Sequence, residues 1–305
     1  MGKTLIFGHK NPDTDSITSS IVMANLENAL GNEAKACRLG NINKETEYVL
    51  NYLGIEAPEL IEGAEDGSDV ILVDHNNPKE SLENQDKLNI KKVVDHHAIV
   101  LNTGYPLYYR ADPFGCTKTI LYKLYKENNV EITKDIATLI MSAIVSDTLL
   151  FKSPTCTSLD KEVAYELAGI ANVDVEKYGL EMLKAGTDLS SFSIEEILSL
   201  DAKEIDIKGI KVLINQVNTA SIPDVMTKKA DLEAGINKII ADKGLDLFVL
   251  LITDIVNSNS QTISIGARAD LVEKSYGVKL VDNTALLEGV VSRKKQVIPV
   301  LTDNA

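Results

Sequence analysis

Residues 4–16 have the sequence TLIFGHKNPDTDS. The apolar run at residues 4–8 is typical of a buried β-strand, and a polar loop with His9, Asp13 and Asp15 follows it directly. A proline in this loop restricts its backbone, which lowers the entropy lost when the loop binds an ion. Apolar residues at helical spacing come next, so the segment predicts strand, polar loop and helix in that order.

The same alternation of strand and helix patterns continues to about residue 150. Apolar runs at residues 34–39, 70–73 and 92–94 predict three further strands, and segments with helical periodicity separate them. Strand–helix–strand order is typical of a parallel sheet with helices on both faces. We therefore expect an α/β fold with a doubly wound parallel sheet in the N-terminal part.

Polar residues follow three of these strands where each one ends: GHKNPDTDS at 8–16, DHNN at 74–77 and DHH at 95–97. The ligand crevice of such a sheet lies beyond the carboxyl ends of its strands. A single histidine is most often a surface or satisfied core residue. Here all four histidines of the chain lie at strand ends near aspartates, which predicts a metal site: His9, His75, His96 and His97.

The aspartates near these histidines are the other candidate ligands. The spacing His9-x-x-x-Asp13-x-Asp15 predicts a metal-binding loop, although an Asn-Pro-Asp turn that only caps the next helix is the alternative, and one aspartate can serve both purposes. Asp74 ends an apolar strand, where an unpaired carboxylate would cost several kcal/mol, so it needs a cation. Asp147 is either a further ligand or the exposed end of a helix.

The type of ligand limits the metal. Carboxylates and imidazoles without thiolates favour six-coordinate Mn²⁺, Co²⁺ or Mg²⁺ over a tetrahedral structural zinc, and Mn²⁺ suits the mixture best. Two such ions roughly 3.5–4 Å apart would acidify a bridging water and hold the attacking and leaving oxygens of a phosphoryl transfer. The N-terminal motifs therefore predict a two-metal phosphohydrolase.

Composition excludes several other functions. With 31 Lys+Arg against 45 Asp+Glu, the net charge is −14, which disfavours binding to a nucleic-acid backbone. Cys37, Cys116 and Cys156 form no CxxC pair, so neither a disulfide framework nor a thiolate zinc site is expected. We also expect no membrane segment and a cytoplasmic location, because the sequence has neither a long apolar segment nor a signal-peptide pattern.

A chain of 305 residues is long enough for two domains. We expect a metal-binding catalytic domain at residues 1–188, a polar linker at 189–193 and a smaller mixed α/β domain at 194–305, with Ser193 capping the first helix of the second domain. Apolar patterns in that domain predict a helix around Leu232 to Ile240 and strands at residues 211–215, 247–254, 262–265 and, at the end of the chain, 297–301.

A basic run in the second domain is the candidate substrate-binding segment. Four aspartates would neutralise two divalent cations, so a highly anionic substrate needs positive groups from elsewhere. Ser292-Arg293-Lys294-Lys295 offers a bidentate guanidinium beside mobile ammonium donors. A short basic run is usually a solvated loop, but its position in a domain that could close over a cleft favours substrate binding.

Taken together, the motifs resemble those of the family II inorganic pyrophosphatases of the DHH superfamily, and the resemblance extends over residues 1–305. It implies an N-terminal DHH domain, a DHHA2-like C-terminal domain and an active site in the cleft between them. The motifs that support it, in chain order, are His9-x-x-x-Asp13-x-Asp15, Asp74-His75-Asn76, Asp95-His96-His97, Ser146-Asp147-Thr148 and Ser292-Arg293-Lys294-Lys295.

The resemblance also implies a role for each candidate residue. The implied ligands are His9 and Asp13 for one Mn²⁺, Asp15 and His96 for the other, and Asp74 and Asp147 as bridges between both. The groups implied to bind phosphate oxygens are His97, Lys203, Arg293 and Lys294. Lys203 depends on the resemblance alone. Asp95 and His75 are expected to orient the histidines from behind.

The implied reaction is hydrolysis of pyrophosphate to two orthophosphates by a water between two Mn²⁺ ions per subunit. Co²⁺ or Mg²⁺ would be substitutes, and the substrate would bring a further Mg²⁺. A homodimer and domain closure around the substrate are implied as well.

Three alternatives stay open from the sequence: a DHH phosphodiesterase, an exopolyphosphatase and a non-catalytic phosphate-binding regulator. A glycine-rich GGGH-type run is missing and aromatic residues make up only 5% of the chain with no Trp, which disfavours a phosphodiesterase that stacks bases. The complete set of candidate ligands disfavours the regulator.

Overall fold

The structure is a computed structural model that describes residues 3–190 and 192–305. Residues 1, 2 and 191, which fall within the predicted first domain and linker, lie outside it. Among the helices of the described ranges, none combines the length and the apolar character needed to cross a membrane.

The chain forms two compact units, Met1–Gly186 and Thr187–Ala305. The sequence predicted a boundary a few residues later, with a linker at 189–193, and those bounds stay a prediction. The predicted cap is present in the second unit. Ser193 Oγ accepts a hydrogen bond from the backbone N–H of Glu196, and the Glu196 carboxylate accepts one from the N–H of Ser193. This reciprocal pair satisfies two N–H groups at the start of the helix.

The described residues of the first unit contain a six-stranded, all-parallel sheet with the strand order β3-β2-β1-β4-β5-β6. The parallel α/β fold predicted from the sequence is confirmed. Two of the strands, β3 and β6, are short and poor in buried apolar residues, so periodicity did not reveal them. The strands are β1 (Thr4–Phe7), β2 (Ala34–Arg38), β3 (Glu59–Leu60), β4 (Asp69–Val73), β5 (Asn89–Asp95) and β6 (Tyr108–Ala111).

Helices α1 and α3 pack directly on this sheet, and α4 packs on both of them. The other face of the sheet, which includes Phe7 and Leu72, packs on Leu82 and Leu88 from the segment of 3₁₀ turns and loops between β4 and β5. Turns and loops between β4 and β5 therefore contribute to the cover of this face. The helices are α1 (Thr14–Ala29), α2 (Lys44–Leu53), α3 (Thr117–Glu127), α4 (Lys134–Asp147), α5 (Ser158–Ala171) and α6 (Val175–Gly186).

Strand β1 lies between β2 and β4, so the order of connections reverses beside it. In an open parallel sheet, the loops on either side of such a reversal diverge and leave a crevice at the carboxyl ends of the strands. The loop after β1 begins with Gly8-His9, β4 is followed by Asp74, and β5 is followed by His96. The topology thus places three of the sequence motifs at one edge of the sheet.

Helix α1 buries polar side chains in its first turns, which is unusual because polar groups are ordinarily on the solvent side of a helix. Val22 and Leu26, at helical spacing, account for the burial of its second half only. The first half must therefore contact other polar groups. Its buried polar residues are Thr14, Asp15, Ser16, Thr18, Ser19 and Ser20.

The second unit is a smaller mixed α/β domain, as predicted. Its five-stranded sheet has the order β11-β10-β9-β8-β7, with β8 and β9 parallel and the other pairs antiparallel. The strands are β7 (Ala202–Ile207), β8 (Ile210–Thr219), β9 (Leu247–Asp254), β10 (Asn259–Ile265) and β11 (Thr284–Leu287). The helices are α7 (Ile194–Ser199), α8 (Ile222–Met226), α9 (Lys229–Lys243), α10 (Asp270–Tyr276) and α11 (Ile298–Asn304).

The strand predicted at residues 297–301 is wrong. Arg293–Val297 is a π-helical turn and leads directly into α11. Pro299 lies in the first turn of α11, where its missing N–H costs nothing, and Leu301 is buried against the sheet. An apolar run this short fits a strand and a buried helix equally well, so periodicity alone could not separate them.

Gly8 provides a test of the contact between β1 and α1. A Cβ at Gly8 would lie 2.0 Å from Ser16 Oγ and 2.9 Å from Ser16 Cα, so the first turn of α1 would have to move away from the strand. We expect Gly8→Ala to lower the free energy of unfolding by about 1–3 kcal/mol, measured by urea denaturation. Gly63→Ala is the matched control, because a Cβ there meets no atom within 4 Å. Equal stability of the two variants would contradict the close contact.

Candidate metal centre

Four segments of the first unit converge at the carboxyl edge of the sheet: the loop after β1 with the first turn of α1, the loops after β4 and β5, and the last turn of α4. All six predicted metal ligands lie there, together with His97. Within each of three groups the potential ligand atoms are within 4.8 Å of one another: His9–Asp13–Asp74, Asp15–His96–Asp147 and Asp74–His96–His97. Metal–oxygen bonds of about 2.1 Å put neighbouring ligand atoms of an octahedral ion about 3 Å apart and opposite ones about 4.2 Å apart, so this spacing fits a shared cation.

Asp74 is the centre of the cluster. It is 1% exposed and has a left-handed backbone with φ of 58°, a conformation that Asp tolerates better than most residues. Its Oδ2 lies 3.5 Å from His9 Nε2, whereas its Oδ1 lies 3.6 Å from His96 Nε2. These distances are too long for hydrogen bonds. The two oxygens of one carboxylate therefore face histidines of two different ligand groups.

Asp13 combines the two roles that the sequence left open. Its Oδ1 accepts a hydrogen bond from the backbone N–H of Ser16 at 2.9 Å and so caps α1. Its Oδ2 lies 3.7 Å from His9 Nε2, on the side of the cluster. One oxygen satisfies the helix end, and the other stays available to a cation.

Asp15 is fully buried and is held by several donors. Ser19 Oγ donates to its Oδ1 at 2.8 Å. Its Oδ2 accepts from Cys116 Sγ at 3.0 Å and from the backbone N–H of Thr117 at 2.8 Å, at the start of α3. Thr117 Oγ1 also donates to Asp74 Oδ1 at 2.9 Å. The sequence does not reveal these contributions of α3, because no pattern links residues about a hundred positions apart.

In His96 and His97, the contact made by Nδ1 fixes the orientation of the ring. His96 Nδ1 lies 2.9 Å from the carbonyl oxygen of Phe114, which leaves Nε2 for the cluster. His97 Nδ1 lies 2.9 Å from Asp95 Oδ1, and Asn76 Nδ2 donates to the other oxygen of Asp95 at 2.6 Å. Asp95 thus fixes the ring of His97, as expected for an orienting carboxylate.

His75 behaves differently from the other three histidines. It is 1% exposed, and its Nδ1 contacts the carbonyl oxygen of Val73 at 3.0 Å. Burial lowers the pKa of His75 to about 4, so its ring is neutral. It packs beside Phe7 behind the cluster and is in none of the ligand groups.

Electrostatics show that the cluster has an excess of negative charge. Burial, together with the charge of Asp15, raises the pKa of Asp74 well above its usual value, and the same two causes raise the pKa of Asp147. Burial opposes the charged form of His9, but the nearby carboxylates of Asp13 and Asp74 outweigh it and raise the pKa of His9 to about 10. The raised pKa values of Asp74, Asp147 and His9 are those expected where carboxylates lack sufficient positive charge nearby. The oxygen and nitrogen atoms of these side chains are suitable ligands for divalent cations.

A cavity of about 780 Å³ opens onto the cluster. Loop residues 154–157 and the cluster itself line it, including Asp74, His97 and Asp147. The His97 side chain is 53% exposed, and its hydrogen bond to Asp95 raises its pKa to about 9, so it is a cation at neutral pH. The cavity is large enough for a small polyanion next to the ligand groups.

The predicted phosphate-binding residues other than His97 belong to the second unit. Arg293 Nη2 lies 2.7 Å from Asp201 Oδ1, and the Arg293 backbone N–H donates to Gln216 Oε1 at 3.0 Å. Lys203 on β7 is paired with Ile214 on β8, whose carbonyl oxygen is 3.5 Å from Arg293 Nη1. Lys203 and Arg293 therefore both lie beside Ile214, while Lys294 is exposed next to Arg293 in sequence.

Comparison with known proteins agrees with this organisation. The DHH family N-terminal domain model matches residues 3–144, and the DHHA2 domain model matches residues 180–304. A crystal structure of an exopolyphosphatase-related protein from Bacteroides fragilis covers 99% of this chain and 91% of its own, with a TM-score of 0.52 and 17% identity, which shows the fold alone. Fold and site thus define a two-domain protein of the DHH–DHHA2 class.

Two further relatives are more similar to this chain than the Bacteroides fragilis protein is. The manganese-dependent inorganic pyrophosphatase of Bacillus subtilis (strain 168) is 56% identical over 305 residues, which is 99% of each chain. The crystal structure of a Methanococcus jannaschii protein assigned to the family II inorganic pyrophosphatases is 41% identical, covers 98% of each chain and has a TM-score of 0.65. The chain belongs to the family II, manganese-dependent inorganic pyrophosphatases, and the resemblance stated from the motifs is confirmed.

Asp147 provides a test of the excess negative charge. The pKa of Asp147 is raised in the folded state, so the folded protein keeps the proton of this carboxyl group at pH values where the unfolded chain has lost it. The free energy of unfolding therefore falls progressively as the pH rises above 3.8. We expect metal-free Asp147→Asn to be more stable than the wild type at pH 7 by about 1 kcal/mol or more, and the gain to vanish towards pH 4.

The measurement is urea denaturation in the presence of a chelator at a series of pH values. Asp86→Asn, at an exposed residue away from the cluster, is the control and should show no such pH-dependent gain. A gain that is the same at pH 4 and pH 7 would contradict the role of charge.

Proposed function

We propose that this protein hydrolyses inorganic pyrophosphate to two orthophosphates. The relative with 56% identity over nearly the full length is named a manganese-dependent inorganic pyrophosphatase. The structural observation that most strongly supports the proposal is the position of Asp74, whose two oxygens face His9 on one side and His96 on the other. A carboxylate placed in this way is suited to bridge two cations.

The proposed cofactor is a pair of Mn²⁺ ions per subunit, with Co²⁺ or Mg²⁺ as substitutes. One ion would be held by His9 and Asp13 and the other by Asp15 and His96, with Asp74 and Asp147 shared between the two ions. The groups of atoms within 4.8 Å of one another, His9–Asp13–Asp74 and Asp15–His96–Asp147, support this division. When bound, such a pair supplies positive charge to phosphoryl oxygens and acidifies water for attack on phosphorus. A further Mg²⁺ would arrive with the substrate.

Within this proposal His97 binds a phosphate oxygen through Nε2. The contact with Asp95 engages Nδ1 and holds the ring in place, and the ring is partly exposed in the cavity. Its raised pKa, about 9, keeps it protonated and able to donate at neutral pH. A fixed cationic donor of this kind stabilises charge on the phosphoryl group without reorganisation.

Lys203, Arg293 and Lys294 supply the remaining positive charge. Asp201 and Gln216 restrain Arg293, so little entropy is lost when its guanidinium binds phosphate oxygens. Lys203 on β7 pairs with Ile214, which Arg293 also contacts, and Lys294 follows Arg293 directly in sequence. The four aspartates and two divalent cations neutralise one another, so these groups decide which anion is bound.

The proposed enzyme works in the cytoplasm as a homodimer, with a catalytic domain at residues 1–188, a linker at 189–193 and a substrate-binding domain at 194–305. Pyrophosphate would be its substrate. The net charge of −14 and the cysteines outside any disulfide, Cys37, Cys116 and Cys156, are consistent with a soluble protein in a reducing compartment that does not bind nucleic acid.

A substrate panel tests the proposed reaction. Phosphate release is measured from pyrophosphate, long-chain polyphosphate and a dinucleotide, each with Mn²⁺ and with Mg²⁺. We expect pyrophosphate with Mn²⁺ to give the highest kcat/KM, because His97 and the positive groups of the second unit suit a small polyanion. Faster turnover of the dinucleotide would favour a phosphodiesterase, and faster turnover of polyphosphate would favour an exopolyphosphatase.

Arg293→Ala tests the role of the second unit. We expect kcat/KM for pyrophosphate to fall by about 10²–10³-fold, since one charged donor to the phosphoryl group is lost. Two Mn²⁺ ions per subunit should remain bound, because their ligands all belong to the first unit. Arg268→Ala is the matched control, since Arg268 is an exposed arginine of the same unit that pairs with Asp270. Loss of Mn²⁺ from Arg293→Ala would contradict a role of Arg293 in phosphate binding alone.

A further inference from the structure

Lys118 is a fully buried lysine next to the metal centre. It is the second residue of α3, and its side chain is 0% exposed. Its Nζ donates to Thr18 Oγ1 at 2.6 Å and lies 3.9 Å from Asp15 Oδ1. Neither the sequence motifs nor the proposed roles of the ligands use this residue.

The position of the ammonium group is fixed by its neighbours. The Thr18 hydroxyl donates its own proton to the carbonyl oxygen of Thr14 at 2.6 Å, so its lone pairs face Lys118. Among the described residues, Asp15 has the carboxylate that lies within ion-pair distance of Lys118 Nζ. A buried ammonium is costly unless it is paired, so its retention here indicates that the charge acts on Asp15.

Asp15 belongs to only one of the two proposed ion sites. It is grouped with His96 and Asp147, whereas His9 and Asp13 form the other group around Asp74. A charge beside Asp15 therefore acts unequally on the two halves of the centre. Without a metal ion it offsets the charge of Asp15, and with one it repels the cation that Asp15 binds.

We propose that Lys118 is a positioning residue whose charge replaces part of the charge of the metal ion at the Asp15–His96–Asp147 group. When that ion is absent, Lys118 stabilises the group. When the ion binds, Lys118 repels it and so weakens its binding. This inference rests on the proposed two-metal site. It implies that the two ions bind with different affinities. The His9–Asp13–Asp74 group has the higher affinity and binds its ion first. The centre then stays folded with one ion bound.

The test is a calorimetric titration of the metal-free protein with Mn²⁺. Lys118→Met removes the charge and keeps most of the side-chain length, and Lys126→Met, at an exposed lysine of the same helix, is the matched control. In Lys118→Met we expect one of the two dissociation constants to fall about tenfold while the other changes little. The thermal midpoint of the metal-free variant should be lower than that of the wild type.

Two further variants separate charge from packing. Lys118→Gln is also neutral but can still donate to Thr18, so it should show the same tighter site. Lys118→Arg keeps the charge and should bind both ions as the wild type does. Weaker binding, equal changes at both sites or unchanged constants in the neutral variants would overturn the proposal, as would failure of both neutral variants to fold in saturating Mn²⁺.

The same titration separates this inference from the proposed function. If the wild type binds fewer than two Mn²⁺ ions or does not hydrolyse pyrophosphate, the proposed function fails. If it binds two ions and hydrolyses pyrophosphate while Lys118→Met binds them with wild-type affinities, the inference about Lys118 alone fails.

Discussion

Repulsion between buried carboxylates at the carboxyl edge of the parallel sheet is the constraint on which the first unit depends. Asp15 and Asp74 are both buried, and the charge of Asp15 contributes to the raised pKa of Asp74. The fold offsets part of this charge with donors from α3, the backbone N–H and hydroxyl of Thr117, and with the ammonium of Lys118. The remainder is uncompensated, so a cation bound at this edge of the sheet would add to the stability of the unit.

Strand order explains why Asp74, and no other aspartate, lies at the centre. Strand β4 is between β1 and β5, so the residue that follows it has the histidine after β1 on one side and the histidine after β5 on the other. The apolar residues of β4 fix its position in the sheet through burial, and the chain then turns sharply at Asp74 with a positive φ. Hydrophobic patterning, topology and metal-site geometry are therefore linked through a single residue.

Sequence alone predicted the parts of the site that follow apolar runs. His9, Asp74 and His96 could be found because a strand end is visible in the sequence and the ends of parallel strands meet at one edge. Cys116, Thr117 and Lys118 could not, because they contact Asp15 or Thr18 across about a hundred residues and lie at the start of a helix with ordinary periodicity. The helix at the chain end was missed for a related reason, since its burial depends on tertiary contacts that a short apolar run does not specify.

The second unit holds a positive group, the guanidinium of Arg293, in a defined position. Asp201 pairs with Arg293 Nη2 and Gln216 accepts the Arg293 backbone N–H, yet among the described residues Arg293 Nε is buried without a hydrogen-bond partner. An unsatisfied buried donor costs free energy that a phosphate oxygen can recover. The guanidinium is thus restrained by Asp201 and the Ile214 carbonyl oxygen while its Nε has no partner among the described residues, an arrangement that favours an oxyanion ligand.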